Sequence, residues 1–521
     1  MVYGIDLGTT YSCIAQFEGY NRPSVIPTEN GHNFLPSVVQ FKPDGKILVG
    51  ATAKRQAESN IAADQVLSLF KRQMGHQYCE QTIPSNDGTR KVSPIEGSAC
   101  ILRKLISPVL EQNKANGVTA RPRAVISIPT GFTGWQRAAT KQAAELAGIE
   151  VLGLIHEPTA AALSFNINAG ERILVFDLGG GTLDVSIVHH YEAGKYRVLA
   201  SSSDYGVLGH YLGGQDWDRL LAEEIANQSD INVDFDNPTG DQRCLRAAIM
   251  NRAEVVKKNL TDDESCTDIL PRCDKEFTIT RSNFENLTMQ LTQQCLLVVD
   301  EAIRRSGLSE TELRQMRFVT VGGSSYMPMI RNTLMRNYGG RIGTGDPYQW
   351  FPQGNPGQAI AEGAAIYAYL LESNKASIYE LSSHSYGTLY HDKVNFYIKN
   401  LIRYSENMEY SKDYVFNPHE NGQPAVSVDI WENERDEEDF PFPIEDQERN
   451  IDRRIFYEQY TFSNPNATTK ETQVNFSISR DKSGLMSLTV NSDGSPSRTY
   501  QIKPLQDDEC LTIRERLKNV Q

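Results

Sequence analysis

One turn pattern occurs twice in the chain, and it constrains the fold more than any other feature. The segment YGIDLGTTYSCIAQF, residues 3–17, has an apolar strand, an Asp-Leu-Gly turn with two threonines, and a second apolar strand. The segment VFDLGGGTLDVSIV, residues 175–188, repeats this order, and Asp177 follows Asp6 by 171 residues. A repeat at this distance is too long for a solenoid, so it indicates two similar half-domains whose turns meet at one cleft.

The two turns predict a phosphate site. Backbone N–H groups in a glycine turn form a concave nest for anionic oxygens, and the hydroxyls of Thr9, Thr10 and Thr182 can add donors. Asp6 and Asp177 would repel a phosphate unless a hard cation lay between them. The pattern therefore implies Mg²⁺, held largely through water. The alternative is two unrelated hairpins in which glycine only supplies a positive φ.

A third glycine segment also indicates an anion or nucleotide site, but its pattern is less specific. RFVTVGGSSYMPMIRNTLMRNY, residues 317–338, predicts a strand, a turn at Gly322 and Gly323, and then a helix. A glycine turn between a strand and the start of a helix is a geometry that contacts anions or nucleotides. Many α/β crossovers also have glycine at this position. The sequence contains no G-x-x-x-x-G-K-[ST] motif, so a P-loop does not explain these turns.

The composition, the net charge and the cysteine spacing limit the kinds of partner and cellular compartment that we expect for this protein. The 521 residues are 39% hydrophobic and 23% charged, with a formal net charge of -14. This acidity argues against nucleic acid or an anionic membrane as the main partner. The eight cysteines include no C-x-x-C pair, which favours reduced thiols. An apolar run of roughly 18 residues and a leader peptide are both absent from the sequence, so we expect a soluble, cytoplasmic protein.

Five motifs together resemble the Hsp70 chaperone family, and their order is specific. They are GIDLGTTYSCIA, LIHEPTAAALSF, FDLGGGTLDVSIV, LGGQDWD and VTVGGSSYMP. The resemblance covers residues 1–372 and continues more faintly to the C-terminus, as in a divergent bacterial-type member. It implies an α/β actin-like ATPase domain, with two lobes that share a duplicated ribonuclease H-like core, followed by an all-β sandwich.

The resemblance also implies roles for individual residues in binding ATP or ADP with Mg²⁺. Asp6 and Asp177 would orient the water shell of the metal. The matched catalytic positions are Lys71, Glu157, Thr182 and Asp184. The matched phosphate positions are Gly8, Thr9, Thr10, Tyr11, Gly179, Gly180, Gly181, Thr182, Gly213 and Gly214. Without the resemblance, Lys71 would be interpreted as a solvated lysine at the end of an apolar run.

The nucleoside end is implied in the same way. Glu254, Lys257, Lys258 and Thr261 recur at helical spacing, which by composition alone indicates a solvated, salt-bridged face. In the family, the matching positions bind adenosine. Gly322, Gly323 and Ser324 complete that end.

Some positions match the family and others depart from it. Pro129 and Arg137 match a pair that signals between domains. Tyr326 stands where an arginine near the base is usual, Gly357 replaces an acidic residue, and Gly131 replaces a tyrosine. None of these departures removes a phosphate or metal position.

The C-terminal third has a different character. Residues 373–387 are predicted as a linker between the ATPase domain, 1–372, and a peptide-binding sandwich, 388–505. Alternation predicts strands in VNFYIKNLI, DYVFNP, AVSVDIWE, RIFYEQYTF, QVNFSISRD, LMSLTVNS and SRTYQIKP. The acidic stretch 431–450 is predicted as a solvated loop. Residues 506–521 are predicted as a short helix or tail, with no helical lid over the peptide.

The expected function is that of an ATP-dependent chaperone, which couples ATP hydrolysis to binding and release of extended apolar peptides. A J-domain cochaperone and a nucleotide-exchange factor are the partners that the resemblance implies. Two alternatives stay open: a regulatory or nucleotide-exchange relative without peptide remodelling, and a sugar-kinase-like enzyme of the same fold.

Overall fold

A computed structural model describes most of the chain as two compact units. The first comprises residues 1–130, 140–377 and 506–521, and the second comprises residues 131–139 and 378–505. The structure describes all residues except 21, 29–30, 59–62, 76–80, 87, 241, 271–272, 344–349, 351–355, 375–376, 382–383, 392–395, 405, 407–408, 434, 442–453 and 482.

The helices and strands up to residue 379 are as follows. The strands are β1 (Val2–Asp6), β2 (Tyr11–Phe17), β3 (Ser24–Val25), β4 (Leu35–Pro36), β5 (Val38–Phe41), β6 (Ile47–Val49), β7 (Val66–Ser68), β8 (Gln81–Ser85), β9 (Gly88–Val92), β10 (Arg123–Ile128), β11 (Glu150–His156), β12 (Arg172–Leu178), β13 (Leu183–Glu192), β14 (Lys195–Ser203), β15 (Ser265–Leu270), β16 (Lys275–Thr280), β17 (Arg317–Val321) and β18 (Ser377–Tyr379). The helices are α1 (Ala51–Gln56), α2 (Pro94–Leu105), α3 (Ser107–Ala115), α4 (Gly134–Ala147), α5 (Glu157–Ser164), α6 (Asp204–Leu208), α7 (Gly214–Gln228), α8 (Gln242–Asp262), α9 (Arg281–Leu287), α10 (Met289–Ser306), α11 (Glu310–Arg314), α12 (Pro328–Tyr338) and α13 (Pro356–Glu372).

The first turn lies in a sheet with the strand order β11-β10-β1-β2-β3. Strands β1 and β2 form an antiparallel hairpin, and β10 runs parallel to β1 with Asp6 beside Ser127. Helix α13 packs on this sheet at very short range, because Gly4 has no Cβ to overlap the α13 backbone at Ala361 and Ala365. This close packing explains the small residues of α13 and gives the Asp6 turn a rigid base.

The second turn lies in a sheet with the order β17-β12-β13-β14-β18. Strands β12 and β13 are antiparallel, with Asp177 opposite Asp184, and β17 runs parallel to β12. The large core beneath this sheet includes Phe176, Trp217 and Phe318. Each sheet therefore presents a hairpin whose first strand carries an aspartate as its last or next-to-last residue, beside a parallel strand. The mixed α/β content with several sheets agrees with the predicted α/β class.

The second unit holds two antiparallel sheets that share one apolar core. Its strands are β19 (Ser385–His391), β20 (Phe396–Ile402), β21 (Tyr410–Phe416), β22 (Ala425–Asn433), β23 (Asp439–Pro441), β24 (Arg454–Thr461), β25 (Val474–Arg480), β26 (Met486–Ser492) and β27 (Ser495–Gln501). Their orders are β23-β20-β19-β22-β24 and β21-β25-β26-β27. Val428 and Ile430 of one sheet and Phe476 and Leu488 of the other lie in the same core cluster. This is the packing of a β-sandwich.

The seven strands predicted in the C-terminal third are confirmed as β20, β21, β22, β24, β25, β26 and β27. Sequence reasoning missed β18, which lies inside the predicted linker, β19, which begins inside it, and β23, which lies inside the predicted acidic loop. Strands β18 and β23 are only three residues long, and β19 lacks a period-two apolar pattern. Residues 375–376 and 382–383 of the predicted linker and 442–450 of the acidic stretch lie outside the described residues.

The C-terminal segment forms a helix that packs in the first unit. Helix α14 (Asp507–Arg516) buries Ile513, and the Arg516 guanidinium donates to both carboxylate oxygens of Glu96, at 2.9 and 3.2 Å. The last residue donates its backbone N–H to the carbonyl of Ile47 at 2.9 Å. The predicted short helix is present, but its partner on α2 had no signal in the sequence. Within the described residues, the helices are too short or too polar to cross a membrane.

Candidate functional site

The two predicted turns and the third glycine segment line one cavity of the first unit, with a volume of about 440 Å³. This volume is in the range of sites for small molecules and cofactors. Of the predicted site residues, those that line it are Asp6, Gly8, Thr9, Thr10, Tyr11, Lys71, Glu157, Asp177, Gly179, Gly180, Gly181, Thr182, Glu254, Lys257, Lys258, Thr261, Gly322, Gly323 and Ser324. Asp184, Gly213 and Gly214 lie behind this lining. Phe34, Asp218, Tyr326, Met327, Gly357 and Ile360 complete it.

The turns of the two sheets approach each other across the cavity. A Cβ atom at Gly181 would overlap the side chain of Thr9, and one at Gly180 would overlap that of Thr10. Glycine is required at these positions by the close approach of the two turns. The same absence of side chains leaves backbone N–H groups exposed to a bound anion.

Gly213 and Gly214 are joined to the second turn from behind. The Gly214 N–H donates to the Gly179 carbonyl, and the Gln215 N–H donates to the Gly180 carbonyl, both at 2.9 Å. Gly214 also begins α7, so the first N–H groups of this helix lie beside the turn. These two segments therefore form one wall, in which 179–182 faces the cavity and 213–214 supports it from behind.

Asp6 is the last residue of β1 and Asp177 the next to last of β12, and both are buried. The Ser127 hydroxyl donates to Asp6 Oδ1 at 3.0 Å. Burial raises the pKa of Asp6 to about 7, and the Glu157 carboxylate adds to this rise while the Lys71 ammonium opposes it. Burial also raises the pKa of Asp177 well above its ordinary value, with further contributions from the Glu157, Asp184 and Asp6 charges. Such a cluster of carboxylates favours a cation.

Lys71 carries the positive charge that faces this cluster. It lies in a short 3-10 turn, Phe70–Gln73, which begins after Leu69 in the left-handed region at φ 63°. Its Nζ lies 2.6 Å from Glu157 Oε1, and the two side chains are only 6% and 7% exposed. Burial alone would lower the pKa of Lys71, but the Glu157 and Asp6 carboxylates outweigh burial and raise it. The ammonium is therefore charged, and the interpretation as a solvated lysine is wrong.

Asp184 lies opposite Asp177 in the hairpin of β12 and β13, and one further cross-strand pair separates these residues from the second turn. Its Oδ1 accepts the Thr130 N–H at 2.9 Å, and it is buried. Burial and the Asp204 and Glu157 charges raise its pKa well above the ordinary value. A carboxylate held this way can accept a proton or a hydrogen bond from a water placed at the turn.

A charged cluster forms the other end of the cavity. Glu254 Oε2 lies 2.5 Å from the Lys54 ammonium, and Oε1 lies 2.6 Å from that of Lys258. The Tyr11 hydroxyl donates to Glu254 Oε1 at 2.9 Å. Burial would raise the pKa of Glu254, but the two ammonium groups outweigh it and hold that pKa at about 2. The carboxylate is therefore ionised and fixed in position.

Lys257 and Lys258 differ although they are neighbours on α8. Lys257 is buried, donates to the Gly214 carbonyl at 2.9 Å and lies 2.7 Å from Asp218 Oδ1. Lys258 is 56% exposed. The composition-based interpretation of this face as solvated therefore holds for Lys258 and is wrong for Lys257.

Several residues that hold the site were missed from sequence. Arg72 donates to the Gly181 carbonyl at 2.7 Å and to Asp216 Oδ2 at 2.7 Å, which ties it to the second turn. Its position next to Lys71 was the available signal. Lys54 lies 200 residues from its partner Glu254, and nothing in the local sequence pairs them.

The residues at the centre fit a hydrated Mg²⁺ ion. Among the described residues, His, Cys, Asp and Glu side chains form no group of three or more that could hold a metal directly. Mg²⁺ usually keeps several waters and binds through one or two carboxylates and substrate phosphates. The buried Oδ2 atoms of Asp177 and Asp184 have no hydrogen-bond partner in the part of the chain that the structure describes. These two atoms can accept hydrogen bonds from the waters of such an ion.

Comparison with known proteins identifies relatives of this chain. The family model described as Hsp70 protein matches residues 2–441. A protein named Chaperone protein DnaK, from Prochlorococcus marinus (strain MIT 9515), is 31% identical to this chain over 525 residues. The aligned region covers 95% of this chain and 76% of that protein. The similarity therefore runs through both compact units.

Proposed function

Because the chain belongs to the Hsp70 family, we propose that it is a chaperone that binds and hydrolyses ATP in the cavity of its first unit. In this proposal, the sandwich of the second unit binds extended apolar peptides. The two lobes around the cavity are proposed to share the actin-like, duplicated core. The single observation that carries the proposal is the cavity itself, which unites two glycine turns, a buried lysine and a cluster of buried carboxylates.

The phosphates of ATP are proposed to lie between the turns. The N–H groups of Gly8 and Gly179 donate to Ser12 Oγ and to the Thr182 carbonyl. The N–H groups of residues 9–10 and 180–181, with the hydroxyls of Thr9, Thr10 and Thr182, would therefore bind the phosphate oxygens. Asp6 and Asp177 would hold the water shell of Mg²⁺, which as a bound Lewis acid neutralises phosphate charge.

Hydrolysis then requires positioning and charge compensation more than covalent chemistry. The buried Lys71 ammonium, held 2.6 Å from Glu157, offsets the negative charge that develops at the transferred phosphoryl group. In this proposal, Glu157 and Asp184 orient the attacking water, and Asp184 accepts its proton.

The adenosine moiety is proposed to lie at the end formed by Glu254, Lys257, Lys258 and Thr261, with Gly322, Gly323 and Ser324 across from them. The Glu254 carboxylate, which is held ionised by two ammonium groups, suits a ribose hydroxyl as a hydrogen-bond acceptor. The ring of Tyr326 provides an apolar face at this end.

The second unit is proposed to bind peptide as an extended segment, through main-chain hydrogen bonds and side-chain pockets. Residues 131–139, which include Arg137, group with this unit, and the Gly134 N–H donates to Glu432 at 3.0 Å. We propose that ATP and peptide binding are coupled, that a J-domain cochaperone and a nucleotide-exchange factor act on the cycle, and that the protein works in the cytoplasm.

A variant of Lys71 tests the ATPase. Lys71→Met should lower kcat for ATP hydrolysis about 100-fold or more, because one preorganised charge at the reacting group is lost. The matched control is Lys46→Met, since Lys46 is 57% exposed and does not line the cavity. Retained binding of ADP by Lys71→Met would show that its cavity is intact. Equal hydrolysis by Lys71→Met and the wild type would overturn the catalytic assignment.

Peptide affinity tests the coupling. A fluorescent, extended apolar peptide should bind more weakly with ATP than with ADP, by about 5- to 150-fold for a typical coupling free energy. Equal affinities with the two nucleotides would favour a regulatory or nucleotide-exchange relative. A phosphorylated sugar product would favour the kinase alternative.

A further inference from the structure

Asp204 is a buried carboxylate that the proposed chemistry does not use. It begins α6, directly after β14, and is 1% exposed. It does not line the cavity. Burying a carboxylate is costly unless hydrogen bonds compensate it. The hydrogen-bond partners of Asp204 therefore indicate which part of the structure it stabilises.

The Asp204 carboxylate accepts three backbone N–H groups. Its Oδ2 accepts those of Leu183, at 3.1 Å, and Leu212, at 2.6 Å. Its Oδ1 accepts the N–H of Tyr205 at 2.7 Å. Leu183 directly follows Thr182, and Leu212 directly precedes Gly213. One oxygen atom therefore joins the bases of the two glycine segments that form one wall of the cavity.

The backbone around Asp204 is also fixed by a hydrogen bond. The Ser203 hydroxyl caps α6 by accepting the Gly206 N–H at 3.2 Å, which fixes the backbone on either side of Asp204. Burial raises the pKa of Asp204 to about 7, although the N–H groups of Leu212, Leu183 and Tyr205 oppose this rise. Above that pH the carboxylate is ionised, its hydrogen bonds are stronger than those of a neutral acceptor, and the Oδ2 contacts constrain both segments.

The two glycine segments of this wall are packed so closely that neither can move toward the other without overlap. A Cβ at Gly213 would overlap the backbone of Gly181, and the Gly214 N–H already donates to the Gly179 carbonyl. The Gly213 N–H donates to Asp216 Oδ2, so both N–H groups of 213–214 are engaged within the protein. A displacement of either segment at its base would therefore change where the remaining N–H groups of 179–182 point. Phosphate binding by such a nest depends on these directions.

We infer that Asp204 is a positioning residue that sets the spacing of segments 179–182 and 213–214, so that the affinity for nucleotide phosphates depends on it while the affinity for the nucleoside does not. This inference rests on the proposed function, because it presupposes that phosphates bind at this wall. Asp204 acts through the backbone and has no contact with the ligand.

Asp204→Asn tests the inference with little change in shape. The carboxamide has one acceptor oxygen for three backbone N–H groups, so its NH₂ group faces at least one of them, and the hydrogen bonds that remain lose the charge of the acceptor. At about pH 8, where Asp204 is ionised because its pKa is about 7, we expect the dissociation constant for ADP with Mg²⁺ to rise about tenfold, the usual effect of losing a charged hydrogen bond. That for adenosine, measured by competition against a fluorescent ADP analogue, should change less than about twofold.

The control is Asp234→Asn, since Asp234 also accepts two backbone N–H groups, of Asp236 and Asn237, but in an exposed turn. It should leave both affinities unchanged. A merely structural role of Asp204 would weaken ADP and adenosine alike, and that result, or an unchanged ADP affinity, overturns the inference. Failure of the wild type to bind ADP would instead overturn the proposed function.

Hydrogen exchange of the wild type gives a second measurement that needs no variant. ADP should slow exchange of the Leu183 and Leu212 amides more than adenosine does, because both amides donate to Asp204 beside the phosphates. If ADP slows only one of the two, the segments are not joined through Asp204 and the inference is wrong.

Discussion

Replacing Asp6 by asparagine should stabilise the ligand-free protein at high pH, although it should weaken ATP binding. Burial, with the Glu157 charge, raises the pKa of Asp6 from 3.8 to about 7 in the folded state. An unfolded chain keeps the ordinary value, so the folded state binds this proton more tightly, and stability falls as pH rises. The loss is absent below 3.8 and complete above about 7.

The size of the effect follows from the same values. A pKa that rises from 3.8 to about 7 corresponds to a cost of about 4 kcal/mol once the group is ionised. Asparagine avoids this cost and keeps the acceptor for the Ser127 hydroxyl, which lies 3.0 Å from Asp6 Oδ1. Part of the gain is lost because the new NH₂ group is buried, so we expect a net gain of about 2 to 4 kcal/mol at high pH.

Urea denaturation of the ligand-free proteins at about pH 5 and about pH 8 measures this difference. The transition of the first unit is the one that ADP shifts to higher urea in the wild type. Asp234→Asn is a control of opposite sign, because the Asn237 and Asp236 N–H groups lower the pKa of Asp234 and the variant loses that stabilisation at high pH. A gain for Asp6→Asn that is equal at both pH values, or absent, would refute the electrostatic argument.

Three further changes test other parts of the structure. Arg516→Ala should destabilise the first unit by about 1 to 3 kcal/mol, measured by urea denaturation. Burial already raises the pKa of Glu96 and Arg516 opposes that rise, so the loss should grow with pH as Glu96 ionises, and a loss independent of pH would contradict this. Gly181→Ala should abolish ADP binding in calorimetry, because its Cβ would overlap Thr9; normal affinity would show that the turns lie further apart. Tyr326→Ala should raise the dissociation constant for ATP about tenfold, whereas Tyr326→Phe should not, since the ring face and not the hydroxyl is used.

The local pattern of the sequence was enough to predict the elements that carry the site. An apolar strand, Asp-Leu-Gly and a second strand specify a hairpin with an aspartate at its turn, and both copies, at Asp6 and Asp177, have this form. Period-two alternation likewise specified seven strands of the sandwich, because a strand with one buried face must alternate. The motif order was enough to indicate the family.

Only the tertiary structure decided the charge states and the supports of the site. Lys71 and Glu157 are 86 residues apart, and Lys54 and Glu254 are 200 apart, so their pairing depends on packing rather than on neighbours in the chain. The same holds for Asp204, whose Oδ2 joins two segments, and for α14, whose Arg516 binds Glu96. Local propensity acts over a few residues, whereas burial and Coulomb energy depend on distance in space, which the sequence alone does not contain.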